Sequence, residues 1–411
     1  MKFKKVVSLT VATALVASLA VTAGSASAAT KITPEKGAKL LLWDDKDSKP
    51  FWDKLIPQFQ KKYGVTVKYQ IVGGPDQDEK FAKDGPAGIA ADVGVIPHDN
   101  LAKLVDAGLW LPNDVFAAET KANNIKAGVT AGTYKGVLYG YPKAIETYAL
   151  FYNKKLVKTA PKTWNDIIAL SKNKAIQDPA KKKFTFMAEV NNFYFDYAFM
   201  TAGGGYVFGK DGTDPSDIGL NNAGAVAGAK QLKALKAILP LKVGDITYDV
   251  KESLFQKGQL ATNINGSWAI SGYRKAGLDF GVTAIPAVNG KPTESFSGVK
   301  IVGVNSYSKY PKAARLLAQF ATSADAQLLN YQTTGQLPTN SKVSANPAIK
   351  NDVIVQGFLQ QLKTAQPMPS IAEMGSVWGP MGAALADIWD KDADPKTALD
   401  AAVKKIKNAI K

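Results

Sequence analysis

The residues with types and spacing suited to chemistry are carboxylates standing next to aromatic rings. Trp43 lies beside Asp44, Asp45 and Lys46, and Asp99 follows Pro97-His98. Glu146 is the lone carboxylate of the apolar, aromatic run Tyr139–Lys154. Tyr194 and Phe195 lie in Asn191-Asn-Phe-Tyr-Phe-Asp196, Trp268 closes Asn263-Ile-Asn-Gly-Ser-Trp268, and Trp378 sits in Gly375-Ser-Val-Trp-Gly-Pro380. Such a set suits a polyhydroxylated ligand. Aromatic rings stack on the C–H faces of a sugar, and Asp, Glu, Asn and Lys bond its hydroxyl edges. Taken singly, each tryptophan reads first as core packing, but Trp268 and Trp378 stand apart because both lie in Gly-flanked turns. A lone Glu in an apolar run is costly to bury, so Glu146 is either paired or at a cleft.

Other chemistries find little support. The chain has no cysteine, which excludes disulfides, thiolate catalysis and zinc–thiolate sites. His98 is the one histidine and has no second imidazole at metal-ligand spacing. No nucleophile-elbow or phosphate-loop pattern occurs, and Gly203-Gly-Gly205 reads as a backbone bend. Paired-carboxylate hydrolysis of a glycoside, with Asp99 and Glu146 as acid and base, is the competing reading. It needs two carboxyls ~5–9.5 Å apart, and no local acid–acid constellation stands out. A binder of anions, peptides or metals would want Arg clamps, Gly/Ser-rich helix N-termini or His clusters. The only arginines are Arg274 and Arg315, which also argues against base reading in nucleic acids.

These residues fall at the ends of elements. Leu40–Trp43 reads as a buried strand, and Phe51, Trp52, Leu55, Ile56 and Phe59 recur at helical spacing until Gly64 stops the helix. Val65–Val72 and Ala90–Pro97 are further strands, the latter followed by a helix over 101–107. After the run at Tyr139–Lys154, Thr163 is set to cap a helix from Trp164 with Asp166 in its first turn. Strands follow at Leu260–Ile264, Phe280–Ile285 and Gly298–Val304. Strands alternating with helices predict an α/β fold with mainly parallel sheets, and open sheets of that kind bind ligands outside the carboxyl ends of their strands.

Residues 1–28 read as a signal peptide: Lys2, Lys4 and Lys5, an apolar stretch Val6–Val21, and cleavage at Ala26-Ser27-Ala28. With no cysteine at that cleavage site, no lipid anchor is expected there, and the product is placed outside the cytoplasm, in the envelope, periplasm or at the cell surface. No later stretch reaches ~18 uninterrupted apolar residues. Roughly 380 residues remain, enough for two domains with ample cores. Removing the three lysines of the leader lowers the formal charge from +16 to +13, nearly all of it lysine, which suits a solvated surface near an anionic envelope.

Short motifs carry a resemblance along the whole of this remainder. Glu79-Lys-Phe81, Asp84-Gly-Pro86, Tyr141-Pro142 with Glu146, Tyr152-Asn-Lys154, Pro161-Lys-Thr-Trp164, Gly204-Gly-Tyr206, Asn263 to Ala269 and Met368-Pro-Ser-Ile371 resemble, in order and spacing, the maltose/maltodextrin-binding proteins of ABC importers. The resemblance implies a two-lobed, periplasmic-binding-protein-like fold with a multi-segment hinge, closing on an oligosaccharide. It implies a monomer without cofactor that docks on membrane permease subunits. Expected boundaries are 29–141 with 287–338 for the N-terminal lobe, and 142–286 with 339–411 for the C-terminal lobe. The family's acidic and lysine contacts on the first strand match Asp44 or Asp45 and Lys46. Its acid after the third strand matches Asp99, its hinge glutamate Glu146, and its stacking aromatics Tyr194, Trp268 and Trp378. Three positions depart from the pattern: Ile96 replaces an aromatic, Asn100 an arginine and Asn192 an acid. Loss of the aromatic and the arginine weakens one subsite and counts against maltose itself, so the resemblance leaves longer maltodextrins and other glucose- or galactose-based oligosaccharides open.

Overall fold

The structure, a computed structural model, describes residues 32–288 and 290–410. The export segment expected over 1–28 lies outside the described residues. Strand β1 (Lys39–Asp44) alternates sides. Leu40 and Leu42 face an apolar layer that includes Phe51, Trp52, Leu55 and Phe59 of helix α1 (Lys49–Tyr63). Leu41 and Trp43 face a second layer with Phe81 and Ile96. Helix α1 starts with Pro50 in its first turn, where a missing N–H costs nothing, and stops at Gly64, whose φ of +67° suits glycine.

Among the described residues the main sheet holds nine strands. After β1 come β2 (Thr66–Ile71), β3 (Val93–Pro97), β4 (Tyr141–Asn153), β5 (Phe184–Met187), β6 (Leu260–Gly266), β7 (Phe280–Thr283), β8 (Phe296–Val304) and β9 (Gln366–Pro367). Their order is β2-β1-β3-β8-β4-β6-β5, with β7 also on β4 and β9 on β8. The expectation of mainly parallel pairing is met in only half of the strand pairs. β1 pairs β2 and β3 in parallel, as β5 does β6 and β9 does β8, whereas β3–β8, β8–β4, β4–β6 and β4–β7 are antiparallel. The sheet is mixed because the chain returns through the middle instead of extending the edge.

Strand β4 joins two regions. Tyr141–Thr147 pairs with β8, while Tyr148–Tyr152 pairs with β6. The apolar interior divides in the same way. Layers around β1, β3, β8 and α1 belong to one lobe, and a large cluster around Tyr148–Phe151, β5, β6 and the C-terminal helices belongs to the other. Pro142 has no N–H for the ladder and occupies an irregularity where Lys300 pairs Ala144 but Ile301 pairs Pro142. The residue left over is Lys143, and such bulges re-aim a side chain. Helices α2 (Phe193–Thr201), α3 (Tyr248–Gln256) and α4 (Gly375–Asp390) supply the second lobe's share of the site. Thr163 and Asp166 form the reciprocal cap anticipated for the helix Trp164–Leu170: Thr163 Oγ1 accepts from Asp166 N at 3.1 Å, and Asp166 Oδ2 accepts from Thr163 N at 2.9 Å.

Candidate functional site

A cleft of about 1150 Å³ opens where the carboxyl ends of β1 and β3, the middles of β4 and β8, the turn after β6 and the first turns of α2 and α4 meet. Its walls include Asp45, Lys46, Asp99, Glu146, Tyr194, Phe195, Trp268 and Trp378. The structure therefore brings eight of the ten predicted residues to one cavity.

One wall is charged. The Lys300 ammonium pairs with Asp45 Oδ2 and lies 3.9 Å from Glu146 Oε1. Burial pulls this lysine's pKa down, but Asp45, Glu146 and Asp44 outweigh it and hold Lys300 well above the usual lysine range. Asp45 also accepts from Gly74 N through Oδ1 at 2.7 Å, which fixes its carboxylate at the rim of β1. Glu146 is 7% exposed, and its Oε1 makes no hydrogen bond within the protein. Burial pushes its carboxyl up to about 7 against the pull of Lys300. Asp99, in the short turn after β3, is similar: its Oδ1 is unpartnered, and burial pushes it to about 7. Two carboxyls that change charge near neutrality thus face the cleft, each able to give or take a hydrogen bond as the proton demands.

The other wall is aromatic. Tyr194, Phe195 and Trp268 form a cluster with ring centroids 5.2 to 6.4 Å apart. Tyr194 and Trp268 are partly exposed, while Phe195 is 4% exposed and backs them. Trp378 stands at 6.0 Å from Phe193 and 5.8 Å from Phe296, as a separate partly exposed plate. Gly266 makes room for Trp268, since a Cβ there would lie 2.0 Å from the indole. Asn192, one of the departures noted above, caps α2 by accepting from Tyr194 N at 3.2 Å. Lys46 reaches across to α3, where it pairs with Asp249 and lies 5.1 Å over the Tyr248 ring, while Tyr248 donates to Asp47 Oδ2 at 3.0 Å.

Two predictions need correction. Trp43 is 1% exposed and packs on Phe81 at 4.9 Å, its indole N–H donating to Gln70. It lies at a strand end but on the face that other side chains cover. Asp44, fully buried, is paired with Lys143 at 2.8 Å, and its Oδ2 also accepts from the Trp52 indole at 2.7 Å. Burial raises the pKa of Asp44, but Lys143 and Lys300 prevail and lower it. Its charge is spent inside the fold, so of the two acids at this position Asp45 is the one in the cleft. His98 is buried too: Nδ1 accepts from Val299 N at 3.2 Å, and burial lowers its pKa to about 4.

Lys300, Glu189 and Tyr248 also line the cleft, and the sequence reading missed all three. Glu189 lies just past the carboxyl end of β5, the same signal that singled out Asp99. Lys300 carries no local signal, because its partners come from distant segments.

The profile of the family described as Bacterial extracellular solute-binding protein matches residues 54–357. The galactooligosaccharide-binding protein of Bacillus subtilis (strain 168) is 35% identical over 92% of this chain and 90% of its own. A maltooligosaccharide ABC transporter solute-binding lipoprotein of Streptococcus pneumoniae (strain ATCC BAA-255 / R6) is 31% identical over 91% of this chain and 89% of its own. Among solved structures, a cyclo/maltodextrin-binding protein complexed with maltotetraose superposes with a TM-score of 0.72 at 39% identity, covering 92% of this chain and 98% of the other.

Proposed function

The chain belongs to the bacterial extracellular solute-binding protein family, and on that premise we propose that it is the carbohydrate-capturing subunit of an ABC importer, taking maltodextrin-type oligosaccharides into its cleft. The observation that carries this is the lining of one cleft by both kinds of group: the plates of Tyr194, Trp268 and Trp378, and the polar side chains of Asp45, Asp99, Glu146, Glu189 and Lys300. Stacking takes the sugar faces, and the edge takes the hydroxyls. Sugar shifts the lobes toward closure by its differential affinity for the closed state, and the closed form docks on the permease. The change of partner along β4 after Thr147 supports a first lobe crossing near Thr147–Tyr148, a little beyond the Tyr141 boundary anticipated from sequence. Export through the segment 1–28, with cleavage after Ala28, completes the reading. N-terminal sequencing of the secreted protein checks it.

A second reading concerns the sugar. The galactooligosaccharide-binding relative favours galactose-based chains, and the departures at Ile96, Asn100 and Asn192 count against maltose itself. Intrinsic tryptophan fluorescence against maltose, maltotetraose and a β-linked galactooligosaccharide separates the readings. Saturable change with maltotetraose supports the first, with the galactose chain alone the second, and with none of them defeats both. We also read the cleft as non-catalytic: labelled maltotetraose incubated with the protein is recovered intact, and steady release of shorter products would contradict this.

A further inference from the structure

Behind the aromatic wall lies a buried lysine that is not part of the cleft's lining. Lys251, on α3, is fully buried, yet its ammonium has an ordered set of partners: Glu189 Oε1 at 2.8 Å, the Ile264 carbonyl at 3.0 Å and the face of the Phe195 ring at 4.4 Å. Glu189 lines the cleft, and its second oxygen, Oε2, accepts from Asn192 Nδ2 at 3.3 Å. Both oxygens of the carboxylate are thus held from behind. Phe195 is the ring against which Tyr194 and Trp268 lean, at 5.2 and 6.4 Å. A single buried cation therefore touches the polar edge and the aromatic wall together. Burying an ammonium is expensive unless it is paired and fully hydrogen-bonded, and an apolar side chain of the same length would fill the space without that cost. What the charge adds is placement.

We propose that Lys251 is a positioning residue for sugar binding, holding the Glu189 carboxylate aimed at the cleft. This rests on the carbohydrate-binding reading above. Asp196 is a second acid near it, fully buried with both oxygens unpartnered and pushed well above the carboxylate range, by burial first and by Glu189 second. The remaining neighbours are Tyr248, whose ring lies 5.3 Å from the ammonium, and Glu252, held at about 7 by burial despite Lys251.

The test is a thermodynamic cycle on the full chain, titrated calorimetrically with maltotetraose. Lys251→Met is expected to weaken binding ~10-fold or more, and Lys251→Arg, which keeps the charge, to recover most of it. In a Glu189→Gln background the same Lys251→Met change is expected to cost under ~3-fold, since residues acting through one another are not additive. If Lys251→Met alone fails to fold, Lys251→Gln takes its place in the same cycle, and a loss confined to the background that keeps Glu189 bears the proposal out. Unchanged affinity in Lys251→Met, or an equal loss in both backgrounds, overturns it. Failure of the unmodified chain to bind maltotetraose or a galactooligosaccharide strikes the underlying function instead.

Discussion

At the scale of single residues, placement within an element decides role. Trp43 lies at the end of β1 and Trp268 just past β6, yet one is core and the other lines the cleft. Strand alternation puts Trp43 on a face already covered by Phe81, whereas Trp268 leaves the strand through a glycine turn. The Gly-flank signal in the sequence was informative for that reason. Gly266→Ala would drive a methyl into the indole, and overpacking of this kind costs ~1–3 kcal/mol. The expected outcome is weakened sugar affinity with the fold retained, read by titration and circular dichroism. Glu146 supplies a second residue-scale prediction. With its carboxyl at about 7, it is mostly neutral below pH 6, where glutamine mimics it. Above pH 8 it is a carboxylate, and hydrogen bonds to charged groups contribute ~1.5–3 kcal/mol. Affinity of Glu146→Gln should match the unmodified chain at pH 5.5 and fall below it at pH 8.5. Parallel curves across that range would contradict the assignment.

At the scale of elements, local rules were legible and long-range pairing was not. The cap at Thr163, the stop at Gly64 and the strand at Leu40–Trp43 all follow from neighbours in sequence. Nothing near Lys143, Lys251 or Lys300 distinguishes them from the many solvated lysines of a chain with formal charge +16. Each is defined by a carboxylate from another segment. Lys143 shows the consequence. A bulge beside Pro142 aims it at Asp44, with Ser48 Oγ at 3.1 Å, which ties β4 to the turn that presents Asp45. Removing one partner of a buried pair leaves an uncompensated charge and costs ~3–5 kcal/mol. Lys143→Met should lower stability by about that much in urea unfolding, and Lys143→Met with Asp44→Asn should recover part of it. Thr163→Ala tests the helix cap more gently, with an expected loss of ~1 kcal/mol.

At the scale of the whole molecule, the buried acids set a pH dependence. Asp99, Glu146 and Glu252 stand at about 7 in the fold, against 3.8, 4.5 and 4.5 ordinarily. Asp196 lies well above the carboxylate range. The folded protein therefore binds more protons than the unfolded chain between about pH 4.5 and 7, so stability falls as pH rises through that window. His98, lowered from 6.5 to about 4, acts in the opposite sense between those values, but one group does not offset several. Thermal midpoints should decline from pH 5 to pH 7, with a shallower slope for a Glu146→Gln, Asp99→Asn double variant. A rise over that interval would contradict the assignment of these carboxyls.

The same scale contains the central claim, that two lobes share one sugar through an aromatic wall and a charged edge. The most direct measurement is calorimetric titration of maltotetraose into the unmodified chain and into Trp268→Ala. Loss of a buried aromatic contact in a binding site costs ~1–3 kcal/mol. The expected result is saturable one-site binding to the unmodified chain, weakened roughly 5- to 150-fold by the substitution. No heat from the unmodified chain, or equal affinity in the two proteins, would contradict the account.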